Sequence, residues 1–263
     1  MALLQVNTFS QALSRIITFH IILPNDAPPE MLAGNSNYDR PMKTLYLLHG
    51  FSGSTQDWLT GSLIQELALK YNLAVVMPAG ENSFYLNGKG TGRGYETFTA
   101  VELPAYCQKT FGLSDKPEDN FIGGLSMGGF GAIHTALKYP EYFGKMFGLS
   151  SALIVNGIKG MKPGTHNDIA DYDYYVRTFG DLDCLKDSEK DPMYCVKKAV
   201  LQKNMPEVYQ AVGTEDFLIQ ENRMMKKYLE KEGVKVTYHE AEGIHDWSFW
   251  NKYLPEAVEW LLK

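Results

Sequence analysis

The sequence predicts an α/β fold, a mostly parallel central sheet with helices on both faces and a cap-like insertion. Three observations predict it. Short, nearly continuous apolar runs alternate with segments of helical apolar spacing. Five glycines crowd around Ser126 between a strand-like and a helix-like run. A polar, aperiodic stretch of about 50 residues interrupts the rhythm after the strand near residue 150.

The elements follow in order. "RIITFHIILP", 15–24, is β-branched and partly alternating, an edge-type strand. A Pro- and Asn-rich surface loop covers 25–41. "KTLYLLHG", 43–50, and "LAVVMP", 73–78, are strands apolar on both faces, as expected when helices cover both sides of a sheet. "GSLIQELALKYN" lies between them with helical spacing. A Gly-rich loop from 82 leads into a helix that Pro104 is expected to kink. "NFIGGLS" is a strand, "MGGFGAIHTALKYP" a helix closed by Pro140, and "GKMFGLSSAL" a further strand. The insertion spans about 155–204, with short helices over one end of the sheet. "EVYQAVG", 207–213, resumes the sheet. A helix at "IQENRMMKKYLEKEG", a strand at "VKVTYHEA" and a helix from about Trp247 to Leu262 complete a single domain, 1–263.

Composition narrows the function. Hydrophobic residues make up 44% and charged residues 21%, the balance of a soluble globular chain. A net charge of -6 and no basic run argue against nucleic acid as a partner. No apolar stretch of about 18 residues predicts a membrane span. The N-terminus has no secretion-signal pattern, so a cytoplasmic location is expected. Cys107, Cys184 and Cys195 are odd in number and far apart, predicting buried thiols rather than a disulfide framework or a metal site.

The chemistry concentrates at Gly124-Leu125-Ser126-Met127-Gly128, a G-x-S-x-G pentapeptide after a strand and before a helix. There a sharp turn lifts a serine oxygen above the sheet, and small residues two before and two after avoid clashes. Gly148-Leu149-Ser150-Ser151-Ala152 is a near-copy at another strand end, but lacks the second glycine and a clear following helix. A serine needs a base, and the base a carboxylate to orient it. In the α/β-hydrolase order of serine, acid, histidine, each sits beyond a later strand. His245, in the loop "EGIHDW", fits the base better than His239 within its strand, and Asp216 beyond "EVYQAVG" fits the acid. Its neighbour Glu215 stays an alternative, and Asp181 and Asp183 follow no strand. The oxyanion donors are expected from Met127 N–H and Phe51 N–H, the latter after His49-Gly50; losing one such donor typically costs about 3 kcal/mol. His49 reads as a structural loop residue. Trp58, Trp247 and Trp250, with Phe51, fall near these motifs and form the candidate substrate pocket, although core packing explains aromatics equally well.

"LYLLHGFSGSTQDWL", "NFIGGLSMGGFGAIHTALKYPEYF", "GTEDFL" and "GIHDWSFW" together resemble the esterase D branch of the α/β-hydrolases, most closely its bacterial tributyrin and acetyl esterases. The resemblance runs from about Arg15 to Leu262. It implies Ser126, Asp216 and His245 as a triad, Phe51 and Met127 as oxyanion donors, short-chain acyl esters such as acetylated sugars and plant-wall esters as substrates, no cofactor, and homo-oligomers among relatives. S-formylglutathione hydrolases of the same branch typically read "GHSMGGHGAL" where this chain has "GGLSMGGFGAI". A thioesterase or feruloyl-type esterase is the alternative on the same residues. A non-catalytic binding protein on this fold would lack at least one of the three, and none is missing.

Overall fold

The computed structural model describes residues 1–26 and 28–263. Among them, eight strands form one sheet: β1 Ala2–Ser10, β2 Arg15–Leu23, β3 Lys43–Leu48, β4 Leu73–Pro78, β5 Asn120–Leu125, β6 Lys145–Leu149, β7 Glu207–Gly213 and β8 Val236–Ala241. Their order is β1-β2-β4-β3-β5-β6-β7-β8. From β4 to β8 neighbours run parallel, while β1 and β2 run antiparallel. The apolar runs are explained by two-sided burial. In β3, Leu45 and Leu47 face one core while Tyr46 and Leu48 face the other.

The first face packs against α1 Ile64–Tyr71 and, at the far end of the chain, the helix Trp247–Leu261. The second carries α2 Leu103–Phe111, α3 Met127–Lys138, α4 Tyr172–Phe179, α5 Pro192–Gln202 and α6 Ile219–Lys231. The helix Trp247–Leu261, α7, starts where Asp246 caps Phe249 N–H at 3.0 Å.

Three expectations need correction. Arg15–Leu23 is not an edge strand. β1 pairs with its whole length, from Ala2 opposite Leu23 to Ser10 opposite Arg15. β1 carries little strand signal in the sequence because most of its side chains are exposed, so hydrophobic alternation is weak. The Pro104 region does not simply kink: Phe98–Glu102 widens into a π-helical turn, with Leu103 N–H bonded to Phe98 C=O, just ahead of the residue that has no N–H to give. Cys184 is exposed, whereas Cys107 and Cys195 are buried. Within 155–204, α5 packs on α3 against the sheet, and the segment before it reaches the carboxyl ends of the strands. Among the described residues no helix is long and apolar enough to cross a membrane.

Candidate active site

The turn between β5 and α3 has no room for ordinary side chains. A Cβ on Gly124 would lie 2.5 Å from the Gly128 backbone, and one on Gly128 would lie 2.2 Å from Leu48 O and 2.7 Å from His49 O. These glycines let α3 start directly on the ends of β3 and β5. Ser126 between them has φ 52° and ψ −119°, a conformation that costs an L-residue roughly 1–3 kcal/mol. It is held by three backbone bonds: Ser126 N–H to Leu149 C=O (2.9 Å), and the Ser126 carbonyl accepting from Phe130 (3.1 Å) and Ala152 (2.9 Å). Gly128→Ala is expected to cost about 3 kcal/mol, because the new methyl meets backbone that cannot rotate away. For a chain of this size that is a melting midpoint roughly 6 °C lower or more; an unchanged midpoint in a thermal scan would mean that α3 slides freely.

Asp216 and His245, 29 residues apart, meet beyond the ends of β7 and β8. Asp216 Oδ2 accepts from His245 Nδ1 at 2.9 Å, and Oδ1 accepts from Leu218 N–H at 2.8 Å. The carboxylate is fully buried. Burial alone would push its pKa up; the bonds from His245 and Leu218 N–H, with the attraction of His245, more than offset this and hold it below the ordinary aspartate value. A carboxylate only accepts, so Nδ1 carries the proton and Nε2 is left to accept one. The ring is gripped on two sides, by Phe217 (centroids 4.6 Å) and by the edge-on Trp250 (5.1 Å, 89°).

Glu215 is engaged elsewhere. Its carboxylate accepts from Gly243 N–H at 2.8 Å and from the Thr214 hydroxyl at 2.7 Å, pinning the loop that carries His245. Those two donors, Gly243 N–H first, also hold its pKa down. His239 stays on β8, its ring tilted against those of Tyr209 and Tyr253 and 3.9 Å from Glu256. Lys162 pairs with Asp183 in the insertion, and the Asp181 side chain caps Asp183 N–H.

Phe51, Ser126 and Met127 line one cavity of about 230 Å³. Met127 opens α3, so its N–H is one of the donors a helix leaves without an internal partner. The loop carrying Phe51 is braced by His49, whose Nδ1–H donates to Gly50 C=O at 2.8 Å while Nε2 accepts Gly80 N–H at 2.9 Å. Burial lowers the pKa of His49, as suits a neutral structural imidazole.

The tryptophans do not line this cavity. Trp58 is buried and donates to Leu48 C=O at 3.0 Å; its ring meets Trp247 edge-on at 5.2 Å, and Trp247 meets Trp250 likewise. They form a packed stack beneath the His245 loop, which sequence position alone could not separate from a pocket wall. The walls come instead from Phe84, from Phe217, Leu218 and Glu221 after β7, and from Ile154, Ile158, Asn167, Ile169 and Tyr175 of the insertion. Phe217 could have been suspected, since it adjoins Asp216; the insertion residues carry no periodic signal.

Similarity to known proteins gives the family. The Esterase family model matches residues 10–261. The chain belongs to the Esterase family. It is thus a carboxylic ester hydrolase. An acetyl esterase from Caldicellulosiruptor saccharolyticus is 44% identical over 264 residues, covering 100% of this chain and 99% of that protein. Among solved structures, the substrate-bound fluorophosphonate-binding serine hydrolase F of Staphylococcus aureus is similar with TM-score 0.85 and 30% identity, covering 100% of this chain and 98% of that one. An S-formylglutathione hydrolase from the same organism, as apoenzyme, gives 0.83 and 28%, covering 100% and 99%. The expected α/β-hydrolase fold is therefore established for this esterase.

Proposed function

We propose that the chain hydrolyses short-chain acyl esters, acetyl to butyryl, by a two-step serine mechanism. The observation that carries this reading is the pairing of buried Asp216 with half-buried His245, 2.9 Å apart, at the same sheet end as a cavity lined by the strained Ser126. In the first step His245 Nε2 takes the Ser126 proton as Oγ attacks the ester carbonyl. The Phe51 and Met127 N–H groups receive the negative charge on the carbonyl oxygen. Collapse breaks the bond to the alcohol, which leaves with the proton from Nε2, and an acyl-Ser126 remains. Water then repeats the sequence, with His245 as its base, and releases the acid. Asp216 stabilises the imidazolium in both steps while staying ionised. No cofactor enters these steps, and the substrate is a small-molecule ester. Three free thiols fit a reducing, cytoplasmic setting.

The preference for short chains rests on the cavity, about 230 Å³ against the roughly 300–1,000 Å³ of sites for drug-sized ligands, and on the likeness to an acetyl esterase. A p-nitrophenyl ester series from acetate to decanoate tests it. The kcat/KM for decanoate is expected to fall at least about 100-fold below that for butyrate, since a misfit chain loses several kcal/mol of binding. Equal or faster decanoate turnover would reject the short-chain assignment. The likeness to an S-formylglutathione hydrolase favours a second reading, a thioesterase on the same three residues. Faster turnover of an S-acyl-glutathione than of p-nitrophenyl acetate would replace the ester reading with that one.

A further inference from the structure

Phe51 lies in a four-residue turn, Gly50 to Gly53, closed by Gly53 N–H to Gly50 C=O at 3.1 Å. Ser52 has φ 64° while Phe51 is not left-handed, the pattern of a type II turn. Glycine or asparagine usually takes that third position, because the Cβ of any other residue crowds its own backbone there. A restraint from outside the turn is therefore needed. Asn82 supplies it: its Oδ1 accepts Ser52 N–H at 2.7 Å. Asn82 is itself fixed from the insertion, since its carbonyl accepts the Tyr174 hydroxyl at 2.7 Å. The Tyr174 ring meets Phe51 edge-on with centroids 5.7 Å apart, and Phe84 lies 6.5 Å from Phe51. Tyr174 stands on α4 next to Tyr175, which walls the cavity. One helix of the insertion thus touches both the substrate space and the support of the oxyanion turn.

We infer that Asn82 is a positioning residue for ester hydrolysis: it holds the turn that aims the Phe51 N–H, and the insertion steadies it through Tyr174. The inference rests on the reading of Ser126 as nucleophile and Phe51 N–H as oxyanion donor. Two planar trans peptides flank the Phe51 Cα. In the first, Gly50 C=O accepts from Gly53 N–H and from His49 Nδ1–H at 2.8 Å, so the Phe51 N–H, on the opposite edge of that plane, is turned away from both. In the second, Asn82 is the only partner of Ser52 N–H among the described residues. Without that bond the turn relaxes by flipping this peptide toward the type I form, which relieves Ser52 and changes ψ at Phe51. The donor residue then loses the restraint on one of its two sides. A misplaced oxyanion donor is costly in rate, because it acts where charge develops in the transition state.

The test compares wild type, Asn82→Leu, Asn82→Asp, Tyr174→Phe and the double variant Asn82→Leu with Tyr174→Phe on p-nitrophenyl acetate. Rates are taken per active site counted by phosphonate titration. Asn82→Leu keeps the size but loses the acceptor, and is expected to lower kcat about 30-fold with KM within about twofold of wild type. An alkyl trifluoromethyl ketone reads the same donors: Ser126 Oγ adds to its carbonyl, the serine proton passes to His245, and the new tetrahedral oxygen takes the place of the oxyanion. Its inhibition constant is expected to rise in Asn82→Leu by about the factor that kcat/KM falls. Asn82→Asp keeps an oxygen for Ser52 N–H and is expected to stay within about threefold of wild type at ~0.5 M salt, where its added charge is screened. Tyr174→Phe keeps the ring against Phe51 but loses the hydroxyl, and is expected to lower kcat about threefold. The double variant is expected to be no slower than Asn82→Leu, since both substitutions break one chain of contacts. A merely structural Asn82 would lower the melting midpoint but leave kcat per site or the ketone's inhibition constant unchanged, which would overturn the inference, as would equal losses in Asn82→Asp and Asn82→Leu or full additivity in the double variant. If Asn82→Leu does not fold, Asn82→Ala is read by the same criteria. If wild type shows no Ser126-dependent turnover, the nucleophile reading and this inference fall together; if it does and Asn82→Leu matches it, this inference falls alone.

Discussion

Ser126→Ala is expected to lose ester hydrolysis by a factor on the order of 10⁴ to 10⁶ in kcat while folding as well as wild type. The substitution removes one oxygen from a half-buried position lining the cavity and leaves the backbone staples to Leu149, Phe130 and Ala152 in place. Residual rate would come from the Phe51 and Met127 donors acting on water. An alkyl fluorophosphonate is expected to label wild type at Ser126 and to leave the variant unlabelled. Ser126→Gly separates chemistry from strain. It is equally inactive but melts higher than Ser126→Ala, because glycine adopts φ 52° without the penalty alanine retains. Turnover by Ser126→Ala above about one part in a hundred, or label on another residue, would move the nucleophile elsewhere.

Which of these features could be read from sequence follows from how local their causes are. Gly124 and Gly128 sit two residues either side of Ser126 because neighbouring backbone comes within 2.2–2.5 Å of any Cβ there, a constraint written into one pentapeptide. The strands β3, β4 and β5 are apolar on both faces because both faces are covered, and a short apolar run reports that directly. Asp216 and His245 could be placed from their positions just past strands. Sequence favours Asp216 but leaves Glu215 open, because one residue of slip exchanges which carboxylate turns inward; the structure directs Glu215 to Gly243 and Asp216 to His245. β1 was invisible because an exposed strand leaves no apolar pattern. The tryptophans misled because an aromatic near a motif packs against it as readily as it lines a pocket. The true walls, such as Ile169 and Tyr175, come from an aperiodic insertion brought over the strand ends by tertiary packing alone. Ser150 resembles a competing nucleophile because both serines follow a strand end within a similar motif and both have positive φ.

Asp216→Asn is expected to lower kcat about 10³- to 10⁴-fold with little change in KM. The isosteric amide has one acceptor oxygen where the carboxylate has two. If its NH₂ faces His245, Nδ1 must accept, the ring carries its proton on Nε2, and Nε2 can no longer take the proton of Ser126. If the oxygen faces His245 instead, the NH₂ opposes Leu218 N–H, donor against donor in a buried site. The first arrangement disables the base, and the second, which would keep it, is disfavoured by that clash. Glu215→Gln is the control: a glutamine oxygen can still accept Gly243 N–H, so its loss is expected to stay below about tenfold. The reverse ranking in steady-state assays on p-nitrophenyl acetate would transfer the orienting role to Glu215. Stability adds a second, independent reading. The folded-state pKa of Asp216 lies below its unfolded value, so the carboxylate contributes stability above about pH 4 that is lost as pH falls through the lower, folded value. The neutral amide of the Asp216→Asn variant has no such contribution to lose. The gap in melting midpoint between wild type and Asp216→Asn is therefore expected to be full at neutral pH and to close on acidification below pH ~4. A gap that widens on acidification would mean that the proton, not the charge, is what the folded site prefers at that position.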